Sequence, residues 1–102
     1  MKARQPSREQ ILLSDVLYAL SDPVRIEIVQ CISEVGEQPC NQVPIDMPKS
    51  SLSHHFKVLR EAGVISTRVE GTRHINSIRT ADLNARFPGL MAAILRAADR
   101  AC

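Results

Sequence analysis

Between Pro48 and Gly63, the residues Lys49, Ser50, Ser53, His54 and Lys57 gather hydroxyl, imidazole and ammonium groups on one side of a helical spacing. Such groups hydrogen-bond to base edges and phosphate oxygens without sterically blocking entry into a groove. On the other side Leu52, Phe56, Leu59 and Ala62 recur at helical intervals and offer a face to a core. Pro48 suits the first turn of this helix and Gly63 its C-terminal exit, so both ends are marked independently of the face pattern. The adjacent pair His54–His55 invites a metal or catalytic reading. Neighbouring side chains on a helix diverge, however, and the pair cannot easily share an ion, so His54 reads as a DNA contact and His55 as a packing or hydrogen-bonding residue.

Charge supports the same reading once it is divided along the chain. The net charge of +2 hides a basic segment and an acidic one. Residues 49–79 hold Lys49, Lys57, Arg60, Arg68, Arg73 and Arg79 against Glu61 and Glu70, whereas residues 11–48 hold six acids against Arg25 alone. One segment is suited to a polyanion and the other is not. Within the basic segment, Val64–Val69 and Thr72–Ile78 are β-rich runs around Glu70-Gly71, which is turn chemistry, and they predict a hairpin. Its tip carries Arg68, Arg73 and His74 and reads as a wing, over 66–75, that reaches a phosphate backbone.

The remaining elements must position these two. With 102 residues the chain makes one domain, and 44% hydrophobic, 24% charged and 3% aromatic residues describe a soluble, mainly α domain with a small β-hairpin. Residues 1–8 read as a flexible basic arm and 9–102 as the domain. A helical stripe of Ile11, Leu12, Val16, Leu17 and Leu20 predicts a first helix over about 9–20. Asp22 as N-cap and Pro23 at the first helical position open a second, mostly apolar helix that runs to about Val35 and stops at Gly36. Pro39, Pro44 and Pro48 leave room for no more than a turn or two of helix around Asn41–Ile45. A short turn is expected at Ala81–Phe87, and Pro88 opens a last helix with Leu90, Met91, Ile94, Leu95 and Ala98 as a narrow apolar stripe. The first and last helices carry more apolar surface than the core requires, which predicts a symmetric homodimer through Ile11, Leu12, Tyr18, Leu90, Met91, Ile94 and Leu95.

The order helix, helix, short helix, recognition helix, hairpin, helix is that of a winged helix-turn-helix, and particular residues narrow the match. The stretches Leu20–Val29, Ser50–Ile65 and Arg68–Arg73 resemble, in turn, the second-helix entry, the recognition helix with its exit, and the wing of the ArsR family of bacterial transcriptional repressors. The resemblance covers about residues 10–98. It implies a homodimeric repressor on double-stranded DNA, with a palindromic operator. Lys49, Ser50, Ser51, Ser53 and His54 would enter the major groove, and Lys57, Arg68 and Arg73 would touch phosphates or the flanking minor groove. Two recognition helices would sit about one turn of DNA apart, roughly 34–36 Å.

The sequence departs from the family where many relatives sense metals. Neither a Cys-x-Cys pair near the short third helix nor Asp and His ligands on the last helix are present, so no metal and no cofactor is expected. Cys31 and Cys102 resemble the cysteine positions of relatives that sense oxidants. A redox or metal response through Cys31, Cys40 and Cys102 is therefore an alternative to an unidentified small-molecule inducer. A second alternative is a winged-helix module for protein–protein association, although the polar face of Ser50, Ser53 and His54 lacks the aromatic and aliphatic anchors of such surfaces. No spacing suggests a catalytic triad, a Cys/His set or a phosphate-binding glycine loop, so an enzyme is not expected. The absence of a long apolar run and of a signal-peptide pattern predicts a cytoplasmic protein with no membrane partner.

Overall fold

The computed structural model describes residues 5–39 and 43–100. After a 3-10 turn at Arg8–Gln10 come α1 (Leu13–Ala19), α2 (Pro23–Val35), β1 (Glu37–Pro39), α3 (Lys49–Ala62), β2 (Ile65–Glu70), β3 (Arg73–Ile78), α4 (Thr80–Arg86) and α5 (Leu90–Arg100). This is the winged helix-turn-helix arrangement, with β2 and β3 as the hairpin.

Local chemistry accounts for the bounds of the two central helices. The Asp22 carboxylate accepts the backbone N–H groups of Val24 at 2.8 Å and Arg25 at 3.4 Å, and Pro23 takes the position where a missing N–H costs nothing. At the end of α3, Gly63 turns left-handed (φ 88°, ψ 12°) while the Val64 N–H returns to the Leu59 carbonyl at 3.0 Å. Ile11 lies directly over this turn, and a Cβ at Gly63 would stand 2.6 Å from Ile11 Cγ1. Glycine is thus required twice, by the backbone and by the close approach of a side chain.

The core forms where α1, α2, α3 and β2 converge. Phe56, Leu59 and Ala62 of α3 pack with Val16 and Ala19 of α1, Ile28, Val29 and Ile32 of α2, and Ile65 of β2. Leu83 of α4 and Met91 of α5 close it from the other side. The apolar face expected of α3 is therefore the buried one, and its polar face is turned outward.

Four features differ from the sequence expectation. The first helix begins at Leu13, because Ile11 and Leu12 are extended (Leu12 φ −104°, ψ 139°). The shorter helix buries Val16 and Ala19, with Leu20 after them, and leaves Leu12, Leu13, Leu17 and Tyr18 exposed. The short helix expected at Asn41–Ile45 is absent from its described part, Val43–Ile45, while Asn41 and Gln42 lie outside the described residues. Pro44 and Pro48 remove two donors and bias the residues before them toward extended backbone. The expected turn at Ala81–Phe87 is a helix, α4, anchored by the buried Leu83. Finally, Glu37–Pro39 forms a strand beside β3, giving a sheet of order β1-β3-β2 with Glu37 opposite Ser77 and Ile65 opposite Ile78.

The N-terminal segment is fastened from Gln5 onward. The Gln5 side chain both donates to the Thr67 carbonyl at 3.1 Å and accepts the Thr67 N–H at 3.0 Å, and Arg8 Nε meets Asp82 at 2.7 Å. Of the arm expected over 1–8, residues 1–4 lie outside the described residues.

Candidate nucleic-acid interface

Amphipathic spacing puts Lys49, Ser50, Ser51, Ser53, His54 and Lys57 on the outer side of α3, and all six are exposed while Phe56 beneath them is 2% exposed. His55, half-buried, faces inward instead. Its Nδ1 accepts from Arg25 Nη1 at 3.2 Å, which leaves the ring proton on Nε2. Arg25 is buried and makes further bonds, from Nε to the Ala19 carbonyl at 2.6 Å and from Nη2 to the Tyr18 carbonyl at 3.4 Å, with its guanidinium 5.5 Å from the Tyr18 ring centroid. One side chain of α2 thus links the end of α1 to the middle of α3 and fixes the pitch at which the polar face is presented. Burial pushes the Asp22 carboxyl up, but the N–H groups of Val24 and Arg25 outweigh it and hold the group below its ordinary value.

The wing is a two-residue hairpin. Gly71 (φ 63°) takes the first loop position, the one a type II′ turn reserves for glycine, and Glu70 pairs with Arg73 across it. Arg73 and His74 are exposed at its tip. Arg68, expected as a phosphate contact, is otherwise engaged. Its guanidinium holds Glu37 through Nη1 and Nη2, the latter at 2.9 Å, and Glu70 through Nε at 2.8 Å. The Arg68 hydrogen bond holds the Glu37 carboxyl below the usual range, and the two carboxylates push the Arg68 guanidinium the other way. Arg79 is likewise occupied, by Asp82 at 2.9 Å and by the Pro6 carbonyl. The basic segment consequently presents Lys49, Lys57, Arg60 and Arg73 as its cations without an ion pair among the described residues. The place of Arg60 in the sequence sets it beside the apolar face of α3; in the structure it lines the same cleft as Thr72, Arg73 and His74 of the hairpin.

The residues expected to pair two subunits divide into two sets. Ile11 (1% exposed) and Met91 (5%) are spent in the protomer's own core and cannot also form an interface, which corrects their assignment. Leu12 and Tyr18 are exposed, and Leu90, Ile94 and Leu95 are half-buried. Leu13 and Leu17 join the exposed face of α1 and were not expected there. Cys31 is half-buried in α2; burial, with Glu27 and Glu34 adding to it, pushes its thiol up and away from the reactive thiolate. Cys40 and Cys102 lie outside the described residues. No group of three metal-ligating side chains occurs among the described residues, and no helix there is long and apolar enough to cross a membrane.

A helix whose inner face builds the core and whose outer face is polar and cationic, followed by a cationic β-hairpin, defines a winged helix-turn-helix DNA-binding domain. A helix-turn-helix domain family matches residues 20–68, which span α2 to the wing. The uncharacterized HTH-type transcriptional regulator YceK of Bacillus subtilis is 31% identical over 81 residues, 76% of this chain and 81% of that protein. The arsenical resistance operon repressor of Staphylococcus xylosus is 34% identical over 64 residues, 62% of each chain. Among solved structures, an ArsR family transcriptional regulator, RHA00566, superposes with a TM-score of 0.64 at 25% identity, covering 79% of this chain and 90% of that one. The chain belongs to the ArsR family of winged helix-turn-helix transcriptional regulators. Its relatives are regulators and not enzymes.

Proposed function

We propose that this regulator is a homodimeric repressor that occupies a palindromic operator, reading bases through α3 and gripping the backbone with Lys57 and the wing. The observation that carries this reading is the outer face of α3, where Lys49, Ser50, Ser51, Ser53, His54 and Lys57 are exposed together with no acid among them. Hydroxyls and an imidazole at the centre suit base edges, and the flanking ammonium groups suit phosphates. Arg73 serves as the wing's phosphate contact; Arg68 contributes less because Glu37 and Glu70 already hold it.

The dimer rests on a narrower surface than the sequence suggested: Leu12, Leu13, Leu17 and Tyr18 of α1 with Leu90, Ile94 and Leu95 of α5. An exposed apolar face of this kind in a soluble domain calls for a partner. The repressor role is supported by the arsenical resistance repressor among the relatives. The test is binding of the purified protein to DNA from its own promoter region against random DNA at about 150 mM salt, repeated with reductant, oxidant and Zn²⁺. Preferential binding as a dimer is expected, and the additive that releases it identifies the inducer class; equal affinity for random DNA would overturn the reading.

A further inference from the structure

We infer that the cleft between α3 and the segment before it, residues 43–47, takes a small apolar carboxylic acid and, resting on the DNA-binding reading, that the bound acid releases the duplex. The cleft, about 340 Å³, has Val43, Ile45 and Met47 on one wall and Leu52 and Phe56 of α3 on the other, with Lys49 and Ser53 completing its lining. This size lies at the lower end of small-molecule pockets and suits a body of one or two rings.

Three observations converge. First, local chemistry keeps the cleft open. Pro44 and Pro48 withhold two donors, the backbone between them forms no helix, and the Ile45 N–H returns to the Val43 carbonyl at 2.8 Å as a three-residue turn. A helix here would lay its apolar side chains along α3; with the irregular segment in its place, Ile45, Met47 and Leu52 stay only half-buried. Second, Lys49 is the one ionisable group in the lining, and it makes no ion pair among the described residues. Asp46, the acid nearest to it in sequence, is exposed and outside the lining. A single ammonium and the Ser53 hydroxyl beside apolar walls suit a monoanion with an apolar body; a phosphate ester calls for more cations. Third, the same two polar groups belong to the base-facing side of α3, where both are exposed. They cannot serve a carboxylate and a duplex at once, so each ligand weakens the other by the same factor. The carboxylate also sets a negative charge against the face that approaches phosphates.

Naphthalene-2-carboxylate is the probe, and its uncharged amide the control. The full chain, labelled at the methyl groups of Ile, Leu and Met, is titrated with each by NMR at constant sodium concentration. Binding of a random-sequence duplex is then measured by fluorescence anisotropy with and without the acid. Saturable shifts are expected at Ile45, Met47 and Leu52, with Leu17 on the exposed face of α1 unmoved. The acid should bind about fivefold tighter than the amide, and Lys49→Met should erase that preference while still taking both. Met47→Trp fills the cleft from a segment without regular structure; it should bind duplex as the wild type does and lose release by the acid. If Met47→Trp fails to fold, Lys49→Met, at an exposed position, still carries the test. No shift at the three methyl positions, or shifts confined to Leu17 and its neighbours, would overturn the site. Equal wild-type affinity for acid and amide would overturn the carboxylate as the ligand class. Saturation of the cleft with duplex affinity unchanged would overturn the regulatory role. A wild type that takes the acid but binds no duplex even in its absence would reject the DNA-binding reading while supporting the site.

Discussion

Arg25 shows how a single residue can set the geometry of a surface it does not belong to. Buried among the Ala19 carbonyl, the Tyr18 carbonyl and His55, it ties three helices through one guanidinium. Arg25→Met would keep the apolar stem and lose these bonds, stranding the Ala19 carbonyl. The expected cost is about 2–3 kcal/mol in denaturant unfolding, with a larger proportional loss of specific than of random DNA binding. Ser53 and His54 pose the complementary case, since both are exposed on the outer face of α3. Their joint replacement by Ala should leave the melting temperature within a degree or two and abolish discrimination between operator and random duplex in a competition assay. The α3 residues were legible in the sequence because helical spacing itself encodes which side a residue takes. Arg68 was not, because its partner Glu37 lies 31 residues away and no local pattern announces the pair.

Among the elements, α2, α3 and the hairpin were readable from caps, face patterns and turn residues, each of which is local. The segment before α3, the strand β1 and the helix α4 were not. β1 exists because β3 offers it an edge, and α4 because Leu83 finds a place in the core, so in both cases tertiary context decides what local propensity leaves open. β1 matters for the wing, since it carries Glu37, the acid that occupies Arg68. Replacing Glu37 with Gln should free part of the Arg68 charge. Random-duplex affinity is then expected to rise several-fold at low salt, with a salt slope steeper by up to about 1 in fluorescence anisotropy titrations. No change would mean that Glu70 alone suffices to hold the guanidinium.

For the whole molecule, two properties follow from the distribution of surface. Leu13 and Leu17 stand out from α1 beside Tyr18, and Leu17→Glu would place a charge in the proposed subunit interface. Sedimentation should show the variant as a folded monomer with operator affinity reduced by a hundredfold or more, because each half-site then binds alone. Acid stability is set elsewhere. Asp22, Asp82 and Glu37 all have carboxyls below their ordinary values, Asp82 through the Arg8 and Arg79 hydrogen bonds. A lowered folded value contributes stability that is fully present above the unfolded value and is lost as pH falls through the folded one. The melting temperature should therefore stay level from pH 7 to about 5 and fall below about pH 4, where these groups protonate. Asp82→Asn should lower the plateau and flatten the acid limb.

The pairing of Gln5 with Thr67 gives the N-terminal segment a protective role. β2 lies at the outer edge of the sheet, and such an edge presents backbone groups on which another chain can add a strand. The Gln5 amide occupies both the donor and the acceptor of Thr67, standing in for one residue of a neighbouring strand and closing that edge in mid-course. With both backbone groups of Thr67 taken, the wing offers no free pair there on which the strand of another chain could add.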